Sequence, residues 1–329
     1  MSKRGTPPPK ARSPQALLRD RVREFCRPLP KALAGDEEAV HDLRIAARRL
    51  RVAIRALPRK PQGRRAKESV AALQVVTRLA GMSRDLDVAV ELWAKRGGAA
   101  PGTPAGERRL RASLRAGRIR ARVHMADALL DSDLARLRRT LRQLVTRGAA
   151  DRAEILRRIA ETGDSTGTEI RNGFAAIGDT YDPAVLHLLR RRCRRLRYAA
   201  EIACALHGED SEVPGLFKRL QEMLGALHDR HVLGVWLVAR GISARRRGHV
   251  ELADAADAEA RWAENQAREH HRKALEKKPQ TLAARALGAF SRLVADRVAQ
   301  AGPPPPAPST TPGIRRRRQG VRATRGAPR

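Results

Sequence analysis

The chain has 329 residues, and its 68 Lys+Arg against 35 Asp+Glu give it a formal charge of +33. Such an excess opposes compaction by self-repulsion unless counter-charge arrives, so the partners to weigh are polyanions: DNA, RNA, polyphosphate or an anionic membrane surface. No stretch approaches the roughly 20 apolar residues that span a bilayer, and Cys26, Cys193 and Cys204 form no Cys-x-x-Cys pair, which excludes a disulfide framework and familiar zinc spacings and suits a reduced cytoplasm.

Ala, Leu and Arg dominate, all strong helix formers, and aromatics are only 3%. Residues 1–13, with Pro7-Pro8-Pro9, read as a disordered basic lead-in, and MSKRGTPPPK has no apolar core that would make it a secretory signal. A helical period then runs from about 14 to 301. Asp36 opens a helix that Pro58 and Pro61-Gln62-Gly63 end. Gly97-Gly98 through Pro104 separates two long helices. Gly163 to Gly173, rich in Gly, Thr and Asp, predicts a linker between an N-terminal half (about 14–160) and a C-terminal half (about 161–301). Asp182-Pro183 is a helix start, with Asp as N-cap and Pro in the first turn. Gly208 to Pro214, Gly241 and Pro279 predict later turns. Residues 302–329 combine Pro303 to Pro306 with Arg315 to Arg318, a Pro-rich spacer and a disordered basic tail. The fold class is all-α.

The sequence repeats itself. Val40-His41-Asp42-Leu43-Arg44-Ile45-Ala46-Ala47-Arg48-Arg49-Leu50-Arg51 aligns with Leu186-His187-Leu188-Leu189-Arg190-Arg191-Arg192-Cys193-Arg194-Arg195-Leu196-Arg197. The His, four arginines and the intervening Leu keep one register, and Asp36 matches Asp182. Downstream, Leu79-Ala80-Gly81-Met82-Ser83-Arg84-Asp85 resembles Met223-Leu224-Gly225-Ala226-Leu227-His228-Asp229 at nearly the same offset. Two ordered matches indicate a duplicated helical unit of roughly 140 residues.

At about 100° per residue, His41, Arg44, Arg48 and Arg51 share an arc of about 80°, as do His187, Arg190, Arg194 and Arg197. Beside each arc runs an apolar stripe: Val40, Leu43, Ala47, Leu50, Ile54 and Leu57 in the first copy, Leu186, Leu189, Cys193, Leu196, Ala200 and Ala203 in the second. An apolar stripe faces the core, so each basic arc sits at the edge of a packed interface. A solvated face mixes charge signs, and these arcs do not. Arg presents a planar fork that matches phosphate, and His adds a donor near neutral pH. Nothing in the array would read a base sequence.

The paired His-x-x-Arg-x-x-x-Arg-Arg-x-Arg motifs, each followed by a Gly-x-x-(basic)-Asp segment, resemble the conserved histidine α-helical domain, CHAD, over about 14–301. The resemblance implies two pseudo-repeated four-helix-bundle halves enclosing a basic cleft or pore that binds inorganic polyphosphate, with association to polyphosphate granules. By position it implies contacts from His41, Arg44, Arg48, Arg51, His187, Arg190, Arg194 and Arg197. Arg49 and Arg195 match the motif on the flank of the arc and are secondary. Arg55 extends the first stripe, but its counterpart is Glu201, so the halves are not expected to contribute equally.

Arg84 and His228 are further secondary contacts. A metal reading of His228 and His231 is weakened by the repeat, which puts Arg84 and Asp87 at the same positions. Asp85 and Asp229 are expected to pair with nearby arginines. Arg115, Arg118 and Arg122 share a helical face that reads as solvated. No nucleophile–base pair, P-loop or carboxylate cluster for Mg²⁺ stands out, so no enzyme activity, metal or cofactor is expected. The competing reading is non-specific nucleic-acid binding, which needs only positive charge. The nine aromatics offer few platforms for stacking single strands.

Overall fold

The computed structural model describes residues 11–96 and 103–300. Most of the lead-in, the Gly97–Gly102 connection and the basic tail lie outside them. Among the described residues there are eleven α-helices and no strand: α1 (Pro14–Cys26), α2 (Leu29–Leu33), α3 (Glu37–Ala56), α4 (Arg64–Ala94), α5 (Pro104–Asp131), α6 (Leu134–Thr146), α7 (Arg152–Ala176), α8 (Pro183–His207), α9 (Val213–Arg245), α10 (Val250–Glu276) and α11 (Pro279–Gln300). No described helix is long and apolar enough to cross a membrane.

Helix starts follow the capping chemistry of the sequence. Asp36 accepts from the Ala39 N–H at 2.7 Å to open α3. Asp182 accepts from Ala184 and Val185, at 2.8 and 3.2 Å, to open α8. Gly208 ends α8 with φ 69, the left-handed conformation that Gly adopts without strain. The α3 terminus is closed from a distance: Arg158 of α7 donates to the carbonyls of Ala56 and Pro58, at 2.9 and 2.7 Å.

Two turn expectations fail. Gly163 to Gly173 is no linker but the interior of α7, and the expected midpoint near 160 lies inside the same helix. These glycines are there for close packing. A Cβ at Gly163 would strike the Phe290 ring of α11, and one at Gly173 the Leu189 side chain of α8. Gly241 likewise sits within α9, where a Cβ would strike Asp257 of α10. Helix–helix contact thus outweighs the cost of about 1 kcal/mol that an interior Gly carries relative to Ala.

Helix neighbours recur in the same order. α1 packs on α3, α3 on α4, α4 on α5 and α6, and α6 on α1. Likewise α7 packs on α8, α8 on α9, α9 on α10 and α11, and α11 on α7. The two sets meet through α5 against α10, α4 against α9 and α3 against α8. Both apolar stripes are buried: Leu43, Leu50 and Ile54 are fully covered, as are Cys193, Leu196 and Ala200. Shortening Leu50 or Leu196 to Ala should cost about 2–5 kcal/mol. Burial pushes the Cys193 thiol up to about 12, so it is a packing residue with little thiolate.

Candidate polyanion-binding site

Because the stripes face inward and α3 packs on α8, their arginine edges face one another. Between them lies a cleft of about 850 Å³. α3 contributes Arg44, Arg48, Arg51 and Arg55; α8 contributes His187, Arg191, Arg194 and Arg195; α4 adds Arg78 and α9 adds His228. Val52 and Tyr198 give it an apolar wall. Its two carboxylates are engaged, Asp85 with Arg44 at 3.2 Å and Glu169 with Arg192 at 2.7 Å.

The two sequence motifs of each copy close into one unit. In the first, the Arg44 guanidinium lies over Gly81, where a Cβ would sit 3.7 Å from Nε, and Asp85 one turn later holds Nη2. In the second, Arg190 lies over Gly225, where a Cβ would sit 3.3 Å from Nη2, and Asp229 stands 3.9 Å from Nη1. The glycine leaves room for the guanidinium and the aspartate aims it. These are the pairings expected of Asp85 and Asp229.

Charge in the cleft is under-compensated. Burial pushes Arg48 down to about 8, and Arg44 and Arg194 add to the effect. Burial pushes Arg194 down to about 10, reinforced by Arg190 and Arg44 although Tyr198 opposes it. Arg51 and Arg55 are lowered by burial and then by neighbouring arginines, among them Arg191 and Arg195 across the cleft. The buried Nε atoms of Arg44, Arg51 and Arg190 have no hydrogen-bond partner. A guanidinium keeps its proton under ordinary conditions. These depressions therefore describe like charges held together and partly dry, and bound negative charge would relieve them.

The histidines titrate low for the same reasons. His187 and His228 face each other with Nδ1 atoms 3.2 Å apart. Burial, then Arg190, pushes His228 down to about 3. Burial, then Arg191 and Arg190, lowers His187. His41 stands exposed outside the cleft lining, lowered by partial burial and by Arg84 and Arg44.

The structure sorts the remaining candidates. Arg190 is largely buried behind the lining, on Gly225. Arg197 and Arg49 are absent from the cleft wall because Glu201 holds both, at 3.2 and 3.1 Å, with their guanidiniums against the Tyr198 ring. Arg84 is neutralised by Glu37 and Glu91, at 3.0 and 3.1 Å. Arg195, a secondary candidate, lines the cleft beside Arg191, Arg192 and Arg78, which sequence reasoning missed. Arg191 and Arg192 lie within the arginine run of the second motif, but the position equivalent to Arg191 is Ile45, so the repeat offered no reason to select it. Arg118 and Arg122 are not a solvated face: Arg122 reaches Glu37 and the buried Asp87 at 2.8 and 2.7 Å.

No curated protein matches this sequence. Among solved structures, the chain is similar to the CHAD domain from the plant Ricinus communis, with a TM-score of 0.57 and 22% identity, covering 87% of this chain and 95% of that one. It is also similar to PptA from Streptomyces chartreusis, with a TM-score of 0.57 and 17% identity, covering 80% of this chain and 98% of that one. At these identities the likeness shows the all-α fold. The CHAD domain profile matches residues 16–238, more than half of the chain, and the chain therefore belongs to the CHAD-domain family.

Proposed function

We propose that this chain binds inorganic polyphosphate in the α3–α8 cleft and does so without turning it over. The observation that carries the reading is the convergence of two arginine stripes on one cleft whose guanidiniums are under-compensated, with buried donors that have no partner at Arg44 and Arg51 in its lining and at Arg190 behind it. A flexible, unbranched polyanion can lay successive phosphates between two such helices. Duplex DNA is stiff over about 50 nm and could not bend its backbone into a cleft of about 850 Å³. A single strand would need aromatic platforms, and Tyr198 is the one Phe, Tyr or Trp among the described residues of the cleft wall. The absence of turnover rests on the cleft carboxylates, which are occupied orienting arginines.

In a cell, such binding would place the protein in the cytoplasm at polyphosphate granules. The test is titration of labelled long-chain polyphosphate with the full chain and with a variant carrying Arg44→Glu, Arg48→Glu, Arg190→Glu and Arg194→Glu. Binding should fall steeply with salt through counterion release and be lost in the variant. An unchanged affinity would remove the cleft from the account.

A further inference from the structure

Helix α5 takes no part in the cleft, and it has two apolar faces. One is buried through Leu110, Leu114, Met125 and Leu129. The other carries Ala112, Ala116, Ile119, Val123, Ala126 and Leu130, spaced alternately four and three residues apart. That alternation is the seam of a coiled coil. It is open to solvent: Ile119, Val123 and Leu130 are 62%, 55% and 67% exposed. The outer face of a surface helix is normally polar, and a contiguous exposed apolar strip marks an interaction surface.

The flanks say what covers it. Arg115 and Arg120 border the seam on opposite sides, both exposed and without an ion pair among the described residues, whereas Arg118 and Arg122 are tied to Glu37 and Asp87. In a coiled coil these flanking positions set the choice of partner. With the whole seam paired, a second copy of this chain would set arginine against arginine in either orientation, and the run Arg315 to Arg318 of its own tail has the same sign. An anionic bilayer would meet Asp127 and Asp131 beside Leu130, and three of the six seam residues are alanines, which insert little apolar area but permit close helix approach. We propose that the outer face of α5 docks an acidic amphipathic helix of a partner protein, its apolar residues spaced three and four apart, its flanks bearing Glu or Asp opposite Arg115 and Arg120 and no acid opposite Asp127.

Two synthetic three-heptad helices with the same leucine seam, one flanked by Glu and one by Lys, are titrated by anisotropy against the full chain. The Glu-flanked helix should bind 1:1. Because a chain of this charge attracts any acidic peptide, the decisive arms are variants of exposed α5 residues. Ile119→Asp with Val123→Asp should weaken binding by about tenfold or more. Arg115→Glu with Arg120→Glu should transfer preference to the Lys-flanked helix. Both variants should keep wild-type circular dichroism and polyphosphate affinity. Peptide binding that survives the seam variant, or a preference that does not transfer, overturns the proposal. So does recruitment to phosphatidylserine vesicles lost with the seam while neither peptide binds, or a dimer in sedimentation abolished by the same substitutions.

Discussion

Replacing Arg48 with Gln should stabilise the empty protein and weaken ligand binding, a pair of opposite signs that few other substitutions share. Arg48 is depressed from the ordinary guanidinium range to about 8 by burial and by Arg44 and Arg194. At 1.36 kcal/mol per pKa unit this amounts to several kcal/mol at face value. Water and counterions in an open cleft reduce it to roughly 1–2 kcal/mol, which is about 2–8 °C in melting temperature for a domain of this size. In the complex the same guanidinium makes a charge-assisted hydrogen bond worth about 1.5–3 kcal/mol, so affinity should fall by about one to two orders of magnitude. Arg49→Gln is the matched control. It removes an arginine on the same helix that Glu201 already holds at 3.1 Å, so it should lower the melting temperature and leave affinity nearly unchanged. Differential scanning calorimetry of the empty proteins and isothermal titration with polyphosphate read both quantities. If Arg48→Gln destabilises the empty protein, or the two variants lose affinity alike, the cleft is not a strained and charged site.

Four further outcomes follow from the same geometry. His41, His187 and His228 all titrate below their ordinary value when the site is empty; the unfolded chain therefore takes up more protons, and stability should decline as pH falls through about 6.5. A bound polyanion raises these pKa values, so affinity should rise between pH 8 and 6, and His41→Gln with His187→Gln should flatten that rise in calorimetry at two pH values. Deleting residues 303–329 should cost much less affinity than reversing Arg44 or Arg194, and equal losses in a salt-matched titration would mean diffuse attraction only. Gly225→Ala should add up to about 1 kcal/mol of helix propensity while crowding the Arg190 guanidinium from 3.3 Å; a higher melting temperature with weaker binding is expected, and unchanged binding would show that Arg190 yields freely.

Local chemistry was readable from the residues alone, and relations between helices only in part. The caps at Asp36 and Asp182, the buried stripes and the engagement of Asp85 by an arginine follow from side-chain chemistry and periodicity. The duplication also revealed that Gly81 and Gly225 recur with those aspartates, though not that each lies under an arginine. Periodicity places a residue on an arc but does not say where a neighbouring helix crosses it. For that reason Arg197 and Arg49 shared the motif yet turn to Glu201, while Arg191, at the position of Ile45, faces the cleft. The departure at Glu201 was visible, but its capture of two arginines depended on α3 packing on α8. Gly163 to Gly173 and Gly241 have the composition of turns, and only the large side chains packed over them, Phe290 above all, show that these glycines belong inside helices.

Competition most directly tests whether the cleft selects polyphosphate. A complex of the full chain with labelled long-chain polyphosphate is titrated at physiological salt with unlabelled polyphosphate and with duplex DNA of equal phosphate content. Displacement by polyphosphate at concentrations orders of magnitude below those of DNA is the result the paired arginine stripes predict. Equal displacement by the two polymers, or more effective displacement by DNA, would contradict it and return the chain to non-specific nucleic-acid binding.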